Sequence, residues 1–414
     1  MSRIKPLRIA ALLAALAVVG AVVAAQATAK THAQTLTIWA DASRVPAMQK
    51  VAGAWGAQHG ITINVVQKQF GSPGIQSDLG TVDSASAPDV VIGASDWVGG
   101  FSANGLILPL VLSKTVKAQF PSYALDAMSY GTAVKRLWGL PVQLENIGLV
   151  VNTQLAKVPK TFGQLEREAV AYKKKSSGNL GIAVQQGAGG DAYHMYPFFS
   201  GLCGYIFGKN AAGNLDPSNI GVANPKFLKN ASLIDKWNKE GLVNSQVTSG
   251  TAQAAFLGKK AAFWITGPWN SATLKASKIK YQIVPLPKIS CKSVPFLGVQ
   301  GLFVTKYAVS HGLGSAAMDL VTNFMAKPSS QVAVALAGGR PPANIGAQKL
   351  VKDPVLAAFS RAGVGGVPLP NIPQMASVWS ELGGAWVKST RGAGAVKART
   401  AFVTAARNIA NKIG

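Results

Sequence analysis

The sequence predicts an α/β fold in which parallel sheets are joined by crossover helices. Residues 36–40 and 61–68 read as β-rich runs, the second with Ile61, Ile63 and Val65 alternating. A helix-length segment, 46–59, lies between them. Residues 89–92 (DVVI) form a third run, too apolar to be half-exposed, as in a strand covered on both faces. Strand, helix and strand at this spacing argue for a parallel sheet. Ligands of such sheets sit beyond the carboxyl ends of the strands, which puts the loops 41–44 and 95–100 on a common rim. A chain of 414 residues, 48% hydrophobic, can build two or three cores.

Residues 1–34 read as an export signal. Arg3, Lys5 and Arg8 lead an apolar run at 9–25, and small residues allow cleavage after Ala27 or Ala33. The run is long for a signal, so an uncleaved membrane anchor is the alternative. No cysteine follows it, which argues against the usual bacterial lipid anchor.

The 46–59 helix has Pro46 in its first turn, Val51 and Trp55 on one face, and Gly60 to end it. In 137–152, two β-rich runs flank Gln143-Leu144-Glu145-Asn146. A helix with a basic end follows at 161–175, and a glycine-rich loop at 187–190 leads into Asp191, Tyr193 and Tyr196. Asn224-Pro225 opens a helix that Gly241 ends. Strands at 261–265 and 281–285 enclose a Gly267-Pro268 turn presenting Trp269. A strand spans 297–305, an amphipathic helix 313–327 stops at Pro328, and a last helix spans 395–413.

Between the last two, Pro370 and Pro373 hold the chain extended. Met375, Val378, Trp379, Leu382 and Trp386 then fall on one helical face. Val378, Leu382 and Trp386 read as core. Trp379, a flat ring just inside a rigid helix start, also suits the face of a ligand, as Trp269 does on its turn. Two tryptophans presented this way suggest a binding cleft.

The formal charge is +25. Beyond residue 34 the chain keeps 37 basic against 16 acidic residues, a net of +21. Nucleic acid is not the expected partner, because the basic residues are dispersed, no nucleic-acid motif appears and the chain carries an export signal. The charge fits an anionic cell surface or an acidic medium better. Cys203 and Cys291 are the only cysteines, and an exported chain can hold them as one disulfide or as two buried thiols.

ITGPWNSATL (265–274) and PNIPQMASVW (370–379) resemble the corresponding segments of maltose/maltodextrin-binding proteins, extracellular solute-binding proteins that serve ABC importers. The similarity runs in order from TLTIWA (35–40) to the end of the chain. It implies a periplasmic-binding-protein type II-like fold: two α/β lobes, a ligand cleft between them and three interlobe crossings, near Glu145, Leu297 and Val351. The expected lobes are 35–145 with 298–350, and 146–297 with 351–414. The resemblance implies oligosaccharide binding by Asp96, Glu145, Tyr193, Trp269 and Trp379. Asp191 stands near the family's Glu two residues before the stacking aromatic.

Four positions depart from the family pattern. Trp97 stands where an Arg follows the sugar-binding Asp, and Arg44, with Asp41 beside it, is the candidate replacement. Arg44 itself stands where the family has Lys, and its planar fork suits bidentate contacts. Gly93 replaces a ligand-contacting Trp, and Gly383 replaces an Arg; both suggest a reshaped subsite. Each candidate also has an ordinary structural reading: a helix cap for Asp96, a hinge residue for Glu145, core packing for Tyr193 and Tyr196.

The implied function is delivery of maltose or maltodextrins to the permease of an ABC importer by a monomer needing no cofactor or metal. A secreted glycoside hydrolase using Asp96 and Glu145 is the rival. Two acids alone favour it, since HExxH, GxSxG and P-loop patterns are missing. An adhesin for acidic polymers rests only on the charge.

Overall fold

The computed structural model describes residues 34–71 and 73–414; the stretch read as an export signal, 1–34, lies outside the described residues except for Gln34. Two main sheets organise these residues, each with its own core. The first runs in the order Val367–Pro368, Phe296–Val304, Val90–Ala94, Thr35–Ala40, Thr62–Gln67, with Leu140–Glu145 also paired to Phe296–Val304. Thr35–Ala40 is parallel to both Thr62–Gln67 and Val90–Ala94, as the strand–helix–strand spacing predicts. The second sheet runs Tyr281–Val284, Gly148–Asn152, Phe263–Thr266, Ile182–Val184.

The inner strands of both sheets are covered on both faces, which is why they read as continuous apolar runs, whereas the edge strand Thr62–Gln67 alternates. In the first, Leu36, Ile38, Val90 and Ile92 enter one core while Trp39 and Val91 enter another. In the second, Leu149, Val151, Phe263 and Ile265 face one core, and Val150 and Trp264 the other. The Val45–His59 helix closes on Gly60 in the left-handed region (φ 65°), where a side chain would be strained. It buries Trp55 completely.

The chain passes from the first sheet to the second between Glu145 and Gly148 and back between Val284 and Phe296; after Leu350 the Pro354–Ala362 and Ala376–Thr390 helices join the cores of the second sheet, while Val367–Pro368 adds a short strand to the first. Cys203 and Cys291 are joined, with Cα atoms 5.2 Å apart. The bridge ties the turn after the Ala192–Gly201 helix to the segment that runs from Val284 back to Phe296. Among the described residues no helix is long and apolar enough to cross a membrane.

Two helices differ from expectation. The segment 313–327 is α-helical over Gly314–Asp319 and π-helical over Leu320–Phe324. Leu320 and Met325, five residues apart, are both fully buried, and the wider turn lets both face the core. The helix opened by Asn224 breaks at Ala231 into Pro225–Asn230 and Ser232–Glu240. There the Asn230 amide reaches out to the Leu202 carbonyl and the Ser290 hydroxyl.

Candidate functional site

The carboxyl ends of Thr35–Ala40 and Val90–Ala94 open on a cleft of about 1030 Å³ whose other wall comes from the second sheet. Asp41, Arg44, Asp96, Trp97 and Glu145 line the first wall; Asp191, Tyr193, Trp269 and Trp379 line the second. Tyr196 is core instead, buried and stacked on Phe296 at 3.5 Å between centroids. Among the described residues, no cluster of His, Cys, Asp or Glu could hold a metal ion.

A charged cluster occupies the first wall. Arg44, only 1% exposed, pairs with Asp41 at 2.7 Å. Its guanidinium stands 5.1 Å from the centre of the Phe70 ring. Burial, and then Arg340, draws the pKa of Arg44 down to about 10, so it stays charged at neutral pH. Burial pushes Asp41 up, but Arg44, the Ser43 hydroxyl and Arg340 outweigh it and hold the carboxyl below its ordinary value.

Glu145 ends its strand at the first crossing and is held on both oxygens. Arg340 Nε donates to Oε2 at 2.6 Å, and Gln300 Nε2 donates to Oε1 at 2.7 Å. Arg340 also donates from Nη1 to Ser43 Oγ (3.2 Å) and the Gly338 carbonyl (3.1 Å). The same guanidinium lies 5.7 Å from the Trp269 ring centre, so one side chain touches both walls. Gly298 leaves room here: a Cβ would stand 2.9 Å from Glu145 Cγ and 3.4 Å from Tyr193 Oη.

On the second wall Asp191 caps the Ala192–Gly201 helix by accepting from the His194 backbone N–H at 2.9 Å. Its carboxylate also meets His194 Nδ1 at 2.8 Å and accepts from Gln185 Nε2 at 2.6 Å. Burial pushes Asp191 up, but His194 and these hydrogen bonds hold it low. Asp191 is thus largely occupied, and it fixes His194, whose ring lies 5.6 Å from that of Trp269. Tyr193 stacks on Phe296, and burial with Glu145 nearby pushes its phenol well above the ordinary value.

Trp379 stands half-buried one turn inside the Ala376–Thr390 helix. Val378, Leu382 and Trp386 of that helix are fully buried. Trp379 Nε1 donates across the cleft to Asp96 Oδ2 at 2.9 Å. Asp96 is pushed up to about 6, mainly by burial, against the pull of that N–H and with Glu145 adding repulsion.

The two glycine departures leave no open space. A Cβ on Gly93 would lie 2.2 Å from the Trp97 ring, which folds back over that strand and lies tilted against Phe70, 4.8 Å between ring centres. A Cβ on Gly383 would meet the backbone of Gly189 and Gly190 at 3.1–3.2 Å. The expected reshaping is therefore a refilling: Trp97 supplies an aromatic wall from a different position, and a glycine loop packs onto the last cleft helix.

Sequence reading missed Arg340, Gln300, His194 and Phe70, which also line the cleft. Arg340 alone carried a local signal, an arginine in a Gly-Gly-Arg-Pro-Pro loop where the chain must turn. Four buried polar atoms of this lining have no protein partner: Arg44 Nε, Tyr193 Oη, His194 Nε2 and Gln300 Oε1. Buried polar atoms are ordinarily paired, so a cleft carrying four is built for a ligand rich in hydrogen-bonding groups.

Residues 50–358 match the family model for bacterial extracellular solute-binding proteins. The chain is similar to the maltodextrin-binding protein MdxE of Bacillus subtilis (strain 168), with 28% identity over 366 residues, 84% of this chain and 83% of that protein. It is 26% identical to the galactooligosaccharide-binding protein of the same organism over 386 residues, 90% and 88% of the two chains. Among solved structures it resembles a Thermus thermophilus maltotriose-binding protein bound with maltotriose, with a TM-score of 0.79 and 26% identity. That match covers 92% of this chain and 100% of the other.

Proposed function

The chain belongs to the bacterial extracellular solute-binding proteins, and from that premise we propose that it binds maltooligosaccharides in its cleft and delivers them to the permease of an ABC importer. The observation that carries the reading is the pairing of flat aromatic rings with unpartnered buried polar atoms in one cleft. A pyranose ring has an apolar C–H face and a hydroxyl edge. Tyr193, Trp269 and Trp379 take the face. Arg44, Asp96 and Glu145 take hydroxyls, as do the free atoms of His194 and Gln300. Trp97 forms the end wall, and Asp191 acts by fixing His194.

We take 35–145 with 298–350 as one lobe and 146–297 with 351–414 as the other, moving about the three crossings. The protein acts as a monomer and turns nothing over. Asp96 and Glu145 each bond a neighbouring side chain of the cleft, and this bonding favours binding over hydrolysis. Export with cleavage after Ala27 or Ala33 leaves it in the periplasm or at the outer face of the cell membrane.

A thermal-shift panel tests the ligand class. A sugar that binds only the folded state, present at a hundredfold excess over its Kd, stabilises by about 2.7 kcal/mol. Maltotriose and longer maltodextrins should raise the melting temperature by several degrees, and galactooligosaccharides by less. A larger shift with galactooligosaccharides would move the assignment to that class, and no shift with any sugar would end it.

A further inference from the structure

Of the basic residues behind the net charge of +21 beyond residue 34, six are brought to one end of the second sheet by its strand register. Gly148 pairs with Thr266 at the cleft end of that sheet, and Val151 with Phe263 and Asn152 with Tyr281 at the opposite end. Three separate loops meet there. The Phe162–Lys174 helix ends in Lys174 and Lys175, the turn before Phe263–Thr266 carries Lys259 and Lys260, and the segment before Tyr281–Val284 carries Lys278 and Lys280. All six are exposed.

The first two loops are tied to each other, and the third to the end of the Gly148–Asn152 strand between them. Tyr172 Oη donates to the Lys259 carbonyl at 2.5 Å, the Leu180 N–H to the Lys260 carbonyl at 2.8 Å, and the Thr153 N–H to the Lys280 carbonyl at 2.9 Å. Among the described residues none of the six forms an ion pair, whereas Lys275 nearby is matched by Asp353 at 2.7 Å. Lys259 holds a left-handed backbone (φ 56°) that glycine adopts without cost, so a cation stands where the turn alone would select none.

We infer that this pole is a docking surface for a phosphate-bearing linear polyanion of the cell envelope. Six exposed ammonium groups spread over three loops suit the diffuse charge of a polymer, whereas one bound phosphate calls for converging donors or a bidentate arginine. The exposed large hydrophobics, such as Val111, Val134 and Val364, lie elsewhere, so the pole has nothing to insert into a bilayer. It faces away from the cleft. A polymer held there leaves the cleft free, while a membrane held there would turn the cleft away from a permease. That last point rests on the proposed transport function; the charge argument does not.

Long-chain inorganic polyphosphate is the probe, titrated into the intact protein, with phosphatidylglycerol vesicles as the second arm. Binding should weaken roughly a hundredfold between about 0.05 and 0.3 M salt if four or more phosphates are engaged. The quadruple variant Lys259→Gln, Lys260→Gln, Lys278→Gln, Lys280→Gln should lose at least about tenfold in polyphosphate affinity. A control with equal charge change, Lys114→Gln, Lys117→Gln, Lys349→Gln, Lys352→Gln, should stay within about twofold. Equal losses in the two variants would reduce the effect to net charge and overturn the assignment. So would salt-independent binding, or vesicles bound more tightly than the polymer. Maltotriose binding is measured on the same samples and should be unchanged in both variants, which separates failure of this surface from failure of the cleft.

Discussion

Trp379 on the second wall donates its indole N–H to the Asp96 carboxylate on the first, at 2.9 Å. The pair joins a helix packed on one sheet to the carboxyl end of a strand of the other. The Asn371 amide donates to the carbonyls of Ala127 and Ser129 at 3.0 and 2.8 Å, a second tie from the segment before that helix to the first part of the chain. A ligand that touches both walls favours the arrangement in which these ties are made, and so shifts the population toward it.

Trp379→Phe keeps a ring and removes the donor. Maltotriose should bind roughly tenfold more weakly, the scale of one buried hydrogen bond. Trp379→Ala and Trp269→Ala should each lose about 1–3 kcal/mol of binding, as expected for a large packed ring. Titration calorimetry reads the affinities and circular dichroism checks the fold. Affinities equal to wild type in both alanine variants would remove these rings from the site.

Asp96 gives a pH signature. Its pKa in the folded protein, about 6, lies above the ordinary 3.8. Between these values the folded state holds more protons than the unfolded state, so stability falls as pH rises from about 4 to 6. Asp96→Asn keeps an acceptor for Trp379 and removes the titration. The variant should gain stability relative to wild type as pH rises from 4 to 7, by on the order of 2 kcal/mol. Denaturant unfolding across that range checks it, and a difference independent of pH would contradict the assignment.

Arg340 binds Glu145, Ser43 and a backbone carbonyl at once. Arg340→Ala strands a carboxylate that is 9% exposed and should cost about 3 kcal/mol or more of stability, together with most of the maltotriose affinity. Arg340→Lys should recover less than half of the loss, because an ammonium cannot reproduce the fork. Full rescue by lysine would reduce the role of Arg340 to its charge.

The bridge between Cys203 and Cys291 closes a long loop, their separation being 88 residues. A thiol count on the unfolded, unreduced protein should find none. Replacing both cysteines by serine should lower stability by about 2–4 kcal/mol while sparing maltotriose affinity, since neither residue lines the cleft. Two free thiols in the native protein would refute the bridge.

The sequence disclosed what local patterning controls. Alternation at Ile61, Ile63 and Val65, the apolar DVVI run and the Gly60 stop are backbone-level signals, and the sheet and helix follow them. The nine candidate residues meet in one cleft because the order of the family segments carried their positions. Arg340 and Gln300 stayed hidden, since their roles arise from contacts with a residue more than 150 positions away. The π turn at Leu320–Phe324 was equally invisible, because only the packed core reveals that Leu320 and Met325 face the same way. Gly93 and Gly383 marked a reshaped subsite, but what fills each position is a matter of packing that the sequence does not display.

Titration calorimetry of maltotriose into the intact protein tests the central claim most directly. Binding between two lobes without chemistry predicts a saturable one-site isotherm, each heat pulse returning to baseline and the pulses vanishing once the site is full. Heat that continues after saturation would mean turnover and would put the Asp96–Glu145 cleft among the hydrolases. No heat of binding over a range of temperatures would remove the maltooligosaccharide from this cleft.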